Sequence, residues 1–199
     1  ENIRLNLAIT LEQLGEYGEA EQLFVELLSR HPDSIDHLAA YGHFLVTVER
    51  YAEARDRYET ALDLALERGD LVKAAPVARS LSAMAFLLGE EEIGLCHSEL
   101  AFRLTTNVDE LVRHVKLLTA SGRYTQARDF LQQSGRDLEG DPRLANRMAL
   151  ALYGLGDSTE ATRYNSIATD VGLQDPQEKF EAEALGLVLD ALDELVRAA

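Results

Sequence analysis

Small and aromatic residues recur along this chain at a spacing of 34 residues. The pairs that keep this spacing are Ala20 and Ala54, Tyr17 and Tyr51, Gly122 and Gly156, and Ala127 and Ala161. A fixed period of this length indicates that one structural unit is repeated along the chain. The repeat therefore constrains the fold more than any other feature of the sequence.

The period divides the chain into five units, each with a small residue at the equivalent place. The central unit uses Gly94, which lies 40 residues after Ala54 and 33 residues before Ala127. The five small residues are Ala20, Ala54, Gly94, Ala127 and Ala161. We predict repeats over about 1–34, 35–74, 75–107, 108–141 and 142–175, followed by a capping helix over 176–198. Together they are predicted to form a single domain, 1–199, of a longer chain.

Each unit has the pattern of two amphipathic helices separated by a break. In the first unit the apolar residues Leu7, Leu11 and Leu14 have helical spacing, and Gly15 follows them. The second helix places a small residue, a large one four positions later and a medium one seven positions later, as Ala20, Phe24 and Leu27 do. These three positions lie on one face of a helix.

A small residue on that face lets two antiparallel helices approach closely. One helical hairpin cannot bury both of its apolar faces, so neighbouring hairpins are expected to stack. Ala and Leu are abundant in the chain while Val and Ile are sparse, which favours helix over sheet. We predict an all-α fold of stacked hairpins.

The first unit resembles the tetratricopeptide repeat, a 34-residue helical hairpin with small, aromatic and proline residues at fixed places. Leu7, Ala20, Phe24 and Pro32 stand where the family expects them, whereas other positions depart from its pattern. The departures are Ala8 for the family's Gly, Arg4 for its Trp, and Ser98, Leu131 and Asn165 at the large position of later units. The resemblance implies a right-handed α-α superhelix, a solenoid of about five hairpins.

Local signals mark several helix ends. The step to the third unit is longer, and it contains Gly69–Asp70 after a lengthened second helix. We predict that Asp70 caps the next helix and that Pro76 lies near its start, where a missing N–H is tolerated. Asp141–Pro142 and Asp175–Pro176 each supply an N-cap followed by proline at the first helical position.

The composition argues against several functions. A formal charge of -16 disfavours binding to nucleic acid or to an anionic membrane surface, and the sequence has no transmembrane segment. The five histidines contain no i, i+4 pair, and the single Cys96 follows the acidic run Glu90–Glu92. We predict no enzyme activity, no metal site and no cofactor. The compartment is not determined, although a cytoplasmic location is favoured over others.

The resemblance also implies where a partner binds, namely at positions 2, 5, 9, 12 and 13 of each first helix. We call these positions the first-helix stripe. They are Asn2, Leu5, Ile9, Glu12 and Gln13; Asp36, Ala39, His43, Val46 and Thr47; Pro76, Arg79, Ala83, Phe86 and Leu87; Asp109, Val112, Lys116, Thr119 and Ala120; and Arg143, Asn146, Leu150, Tyr153 and Gly154. The stripe carries three acidic and three basic residues, so it is less negative than the rest of the chain.

Such a stripe suits an extended peptide or a helix that carries an acidic or carboxylate group. The candidate binding residues are His43, Arg79, Phe86, Lys116, Arg143, Asn146 and Tyr153. The family's carboxylate clamp needs Lys and Asn in the first unit, where this chain has Leu5 and Ile9, so we predict that this clamp is missing.

Two functional hypotheses remain from the sequence. The first is an adaptor that holds a segment of another protein in its concave groove. The second is a structural spacer or self-association segment that uses the C-terminal helix. The apolar residues of that helix, from Phe180 to Val196, fan over roughly 200 degrees, twice the usual arc. This helix is either a cap with a wide core face or a surface that meets a second chain.

Overall fold

The computed structural model describes residues 2–198, leaving aside the side chains of Leu195, Val196 and Ala198. Eleven α-helices and no strands occur within these residues. They are α1 (Asn2–Gln13), α2 (Tyr17–Arg30), α3 (Ile35–Thr47), α4 (Tyr51–Glu67), α5 (Leu71–Leu87), α6 (Glu91–Thr105), α7 (Val108–Ala120), α8 (Tyr124–Gln133), α9 (Pro142–Gly154), α10 (Ser158–Val171) and α11 (Pro176–Ala198). The predicted all-α fold is confirmed.

The helices pack as hairpins. Each odd-numbered helix from α1 to α9 packs against the even-numbered helix that follows it. Successive first helices also touch, α1 with α3, α3 with α5, α7 with α9, and α9 with α11. This arrangement is the repeated hairpin that the 34-residue period predicts.

The chain divides into two compact units, unit 1 (Glu1–Asn107) and unit 2 (Val108–Ala199). Each unit has its own buried residues. In unit 1 the ring of Phe24 lies 5.6 Å from that of Tyr41 and 5.3 Å from that of Phe44. In unit 2 the buried cluster includes Ala145 and Ala182. The single domain over 1–199 stays a prediction.

The small residues of the hairpins are buried, as the repeat predicts. Ala20, Ala54, Ala127 and Ala161 have no exposed surface, and Gly94 is also buried. A Cβ added to Gly94 would lie 2.6 Å from two ring carbons of Phe86, closer than carbon atoms pack. Close approach of α5 and α6 therefore requires glycine at this position.

The turns inside the hairpins use the left-handed backbone conformation. Gly15, Gly89, Gly122 and Gly156 have φ between 70° and 81°. Glu49 takes the equivalent place in the second hairpin with φ 62°, which is unusual for a residue other than glycine. The predicted breaks are confirmed at all five turns.

Aspartates cap the helices where the sequence predicts them. Asp70 accepts a hydrogen bond from the Lys73 amide at 3.1 Å, and Asp141 accepts one from the Arg143 amide at 2.9 Å. Asp175 accepts from the amide of Gln177 at 2.8 Å. One detail was wrong: because α5 begins at Leu71, Pro76 lies inside the helix rather than near its start.

The last helix, α11, buries only one of its faces. Ala182, Leu185 and Leu189 are buried, whereas Phe180 and Leu187 are 70% and 74% exposed. The predicted surplus of apolar residues is thus present on the described part of the helix, while the predicted contributions of Leu195 and Val196 lie outside it. α11 has 23 residues, but neither it nor any other helix of the described residues is long and apolar enough to cross a membrane.

Candidate functional site

Each unit carries a pocket on its first-helix stripe. The pocket of unit 1 has a volume of about 140 Å³ and lies between α1 and α3. Its lining consists of Ile9, Glu12, Gln13, Ala40 and His43. Four of these five residues belong to the stripe, and only Ala40 lies outside it. We call this cavity the unit 1 pocket.

The carboxylate of Glu12 is the charged group of the unit 1 pocket. Glu12 is buried, and it accepts a hydrogen bond from the Thr47 hydroxyl at 2.7 Å. The Nδ1 atom of His43 lies 3.3 Å from the same carboxylate, and the imidazole itself is exposed. His43 can therefore pair with Glu12 when protonated, and it presents the rest of its ring to solvent.

The other two candidates in unit 1 lie on α5. Arg79 is half-buried. Phe86 is half-buried as well, and its ring covers Gly94 of the following helix. The ring of Phe86 thus packs within the α5–α6 hairpin, and its role as a partner contact stays a prediction. Leu87, its neighbour on the stripe, is exposed.

Unit 2 contains the larger of the two stripe pockets, with a volume of about 330 Å³. Another pocket of unit 2, of about 310 Å³, lies off the stripe between α10 and α11. We call the pocket on the stripe the unit 2 pocket. Its lining consists of Lys116, Thr119, Ala120, Tyr124, Arg147, Leu150, Tyr153 and Glu181. Five of these eight residues belong to the stripe. The pocket thus brings together two of the predicted binding residues, Lys116 and Tyr153.

Two cations and one carboxylate face each other in the unit 2 pocket. Arg147 donates from Nη2 to Oε2 of Glu181 at 2.5 Å, and the Lys116 ammonium lies 3.5 Å from Oε1. Burial alone would raise the pKa of Glu181, but the hydrogen bond from Arg147 and the nearby positive charges lower it below its ordinary value. Glu181 is therefore held in its charged form.

Arg143 does not line the pocket, and two carboxylates neutralise its charge. Its guanidinium lies 2.6 Å from Asp109 and 2.8 Å from Asp141, the N-cap of α9. Burial would raise the pKa of Asp141, yet the hydrogen bonds from Arg143 lower it. Arg143 bridges α7 and α9, and its role as a cation for the partner stays a prediction.

Asn146 is not available to a partner in this structure. Its side chain has no exposed surface, and neither its amide nitrogen nor its amide oxygen has a hydrogen-bond partner among the described residues. The stripe predicted an accessible residue here. The side of α9 that carries Asn146 is instead covered by other helices, since α9 packs against α7, α8, α10 and α11 within unit 2.

The prediction from sequence missed three residues of the unit 2 pocket, Tyr124, Arg147 and Glu181. Arg147 and Glu181 are 34 residues apart and oppositely charged, so the repeat period contained a signal for this pair. Arg143 and Asp109 have the same spacing. We call such contacts between successive first helices inter-repeat bridges.

The described residues contain no group of three or more His, Cys, Asp or Glu side chains placed to hold a metal ion. Cys96 is exposed on α6. Both stripe pockets are lined by a mixture of charged, aromatic and aliphatic groups.

Comparison with known proteins agrees with this architecture. Residues 1–44 match the tetratricopeptide repeat family model. No curated protein sequence shows significant similarity to the chain.

Three solved structures illustrate the likeness. A MamA protein is 18% identical, with 85% of this chain and 90% of that chain covered and a TM-score of 0.66. YrrB, described as a TPR protein with an unusual peptide-binding site, is 19% identical, with 91% and 90% covered and a TM-score of 0.63. PilF of Pseudomonas aeruginosa is 18% identical, with 100% and 92% covered and a TM-score of 0.60. The helical-repeat fold and the resemblance drawn from the sequence are confirmed.

Proposed function

We propose that this chain, which has the tetratricopeptide repeat fold, is an adaptor that binds a peptide or helix of another protein along its first-helix stripe. The observation that carries the proposal is that each unit has a pocket on the stripe, although unit 2 has a further pocket off it. Nine of the thirteen residues that line the two stripe pockets belong to the stripe, five in unit 2 and four in unit 1. In each unit the stripe thus borders a concave pocket, which suits a segment of a peptide or helix.

The chemistry of the pockets favours binding over catalysis. Each pocket carries one carboxylate that its own neighbours already bind, Glu12 in unit 1 and Glu181 in unit 2. Aliphatic and aromatic groups such as Leu150 and Tyr153 form the walls of the larger pocket. Apolar walls with a few fixed charges recognise side chains of a protein ligand.

The test compares matched substitutions on and off the stripe. Leu87 and Leu66 are exposed leucines in the last turns of α5 and α4, and only Leu87 belongs to the stripe. We expect Leu87→Glu to weaken capture of a partner from the source cell and Leu66→Glu to leave it unchanged. Far-ultraviolet circular dichroism checks that both variants keep their helical content.

The same comparison applies in unit 2, where Lys116 lies in the pocket and Lys179 is exposed on α11 outside it. Lys116→Glu should weaken capture, and Lys179→Glu should not. If both stripe variants retain the wild-type partners at the wild-type level, the first-helix stripe is not the binding surface.

A second function, self-association through α11, is favoured by the exposed Phe180 and Leu187. Large apolar side chains that stand close together on one exposed face mark contact surfaces. Light scattering at high protein concentration tests it: a dimeric mass that Phe180→Ser/Leu187→Ser converts to a monomer supports self-association. A monomeric mass of the unchanged chain rules it out.

A further inference from the structure

The lining of the unit 2 pocket contains two cations and one carboxylate. Lys116 comes from α7, Arg147 from α9 and Glu181 from α11. Glu181 is the carboxylate bonded to both cations, at 2.5 Å from Arg147 and 3.5 Å from Lys116. The longer distance leaves the ammonium group of Lys116 incompletely bonded, since it has three donors. The buried Glu178, one turn earlier on α11, acts on the same two cations through its charge.

The side chain of Arg147 is buried in the unit 2 pocket. Its side chain is only 2% exposed, and its Nε atom is buried without a hydrogen-bond partner among residues 2–198. A buried guanidinium is stable only when a negative charge lies against it. Arg147 therefore needs a carboxylate in this place, whichever molecule supplies it.

The carboxylate of Glu181 can turn out of the pocket into solvent, whereas the buried guanidinium of Arg147 cannot. The Glu181 side chain is 25% exposed, and Gln177 on the solvent side of α11 donates to its Oε1 at 3.2 Å. A rotation about the side-chain bonds of Glu181 would return its carboxylate to water. The Lys116 side chain is 42% exposed, so this cation is accessible from solvent.

We propose that the unit 2 pocket binds one carboxylate of the partner, and that Glu181 occupies the carboxylate's place in the free protein. The incoming carboxylate displaces that of Glu181 and pairs with Arg147 and Lys116. Leu150 and Tyr153 then contact the apolar atoms next to it. This inference rests on the proposed adaptor function and names the chemical group that its larger pocket recognises.

The carboxylate can belong to an acidic side chain or to a chain terminus, and three synthetic peptides separate these sources. Acetyl-Gly-Glu-Leu-Gly-amide carries only a side-chain carboxylate, and acetyl-Gly-Gln-Leu with a free terminus carries only a terminal one. Acetyl-Gly-Gln-Leu-Gly-amide carries neither. Binding is followed by NMR titration of the backbone amides of unit 2 and of the Arg147 Nε–H resonance.

We expect at least one charged peptide to shift the signals of Lys116, Arg147 and Tyr153, and the neutral peptide to shift none of them. Lys116→Met should weaken that binding about tenfold, as loss of one charge-assisted contact does. Lys179→Met removes the same charge from the same unit outside the pocket, and it should leave the affinity unchanged. The peptide that binds identifies the source of the carboxylate.

Glu181→Gln is the decisive variant. If Glu181 competes with the ligand, removing its charge should tighten binding of the charged peptide about fivefold or more. A positioning role for Glu181 predicts the opposite, because Arg147 and Lys116 would lose the group that orients them. Weaker or unchanged binding in Glu181→Gln overturns the proposal, and so does the absence of binding of both charged peptides to that variant.

Partner capture distinguishes failure of this inference from failure of the adaptor function. If the peptides do not bind but the Leu87→Glu variant still loses partners that the Leu66→Glu variant keeps, the stripe binds a ligand of other chemistry. If no stripe variant changes capture, the adaptor function itself fails.

Discussion

Glycine and buried charge determine the contacts of this chain at the scale of single residues. A Cβ added to Gly94 would collide with the ring of Phe86. A Cβ added to Gly18 on α2 would have no described atom within 4 Å. Two helical glycines of the same chain thus differ completely in purpose. One permits contact between helices, and the other only lowers the helix propensity of α2.

We expect Gly94→Ala to lower the free energy of unfolding by about 1 to 2 kcal/mol. The new methyl group, 2.6 Å from the Phe86 ring, forces an overpacked contact that outweighs the better helix propensity of alanine. Gly18→Ala is the control and should raise the same quantity by about 0.5 to 1 kcal/mol. Urea unfolding measures both. The double variant Gly94→Ala/Phe86→Ala should remove this clash. Gly94→Ala should therefore lower the free energy of unfolding less in the Phe86→Ala background than in the wild type, and an equal loss in both backgrounds would contradict the prediction.

Buried Glu178 gives a second prediction at this scale, one that depends on pH. Burial raises the pKa of Glu178, and its Oε2 atom has no hydrogen-bond partner within residues 2–198. A raised pKa means that the charged form weakens the fold. Glu178→Gln should therefore stabilise the protein by about 1 kcal/mol at pH 7.

The pH dependence of this gain follows from the sign of the shift. As the pH falls through the folded-state pKa, wild-type Glu178 becomes neutral, so the advantage of Glu178→Gln should disappear below about pH 4. Urea unfolding at several pH values measures it. Glu183→Gln, on the exposed side of the same helix, should change stability by less than about 0.5 kcal/mol at every pH. An equal gain in both variants would assign the effect to net charge instead.

Whole helices show which parts of the fold were predictable from sequence. The helix ends at Asp70, Asp141 and Asp175 depend on neighbours in the chain, so they were predicted correctly. Pro76 was misplaced because the Asp70 cap starts α5 at Leu71, which puts Pro76 more than one turn inside the helix. The burial of Asn146 was not predictable, since it depends on helices that pack against α9 from elsewhere in the chain.

The site was predictable to the extent that it follows the period. Stripe positions such as His43, Lys116 and Tyr153 line the pockets because they lie on the equivalent face of their own helices. Arg147 and Glu181 lie off the stripe, and only their contact across two helices brings them into the pocket. A pattern of single positions does not contain that information, but a pattern of charge pairs one period apart does.

The two faces of α11 lead to a prediction for this element. Leu185 is buried against unit 2, and Leu187, two residues later, is exposed. We expect Leu185→Ala to lower the free energy of unfolding of unit 2 by about 2 to 4 kcal/mol, from lost transfer energy and the cavity left behind. Leu187→Ala should change it by no more than about 0.5 kcal/mol.

Hydrogen exchange of the amides in α9, α10 and α11 measures both variants. Faster exchange across these helices is expected for Leu185→Ala alone. Equal protection in the two variants would mean that α11 does not stabilise the helices beneath it.

Charge dominates at the scale of the whole molecule. Thirty-five acidic residues face nineteen basic ones, which leaves a formal charge of -16. Exposed ion pairs such as Arg103 with Glu99 contribute little, because water and salt screen them. Mutual repulsion among the surplus carboxylates acts on the entire folded chain.

We therefore expect the melting temperature to rise by several degrees when NaCl increases from about 0.01 M to 0.15 M, since the screening length falls from about 30 Å to 8 Å. Scanning calorimetry at pH 7 measures the change. Near the isoelectric point of about 4.6 the net charge vanishes, so the salt effect should shrink there. A melting temperature that falls with salt at pH 7 would mean that the ion pairs outweigh the repulsion.

The inter-repeat bridges limit how a chain like this can lengthen. Repeat proteins grow when a hairpin is duplicated in tandem, and two fresh copies carry identical residues at equivalent places. If residues 142–175 were duplicated, the buried Arg147 of one copy would meet the Arg147 of the next, where the present chain has Glu181. Two guanidinium groups would then share a site built for an ion pair. The contact between α9 and α11 thus depends on opposite charges. A duplication of residues 142–175 would be tolerated only if one of the two arginines were also replaced by an acidic residue.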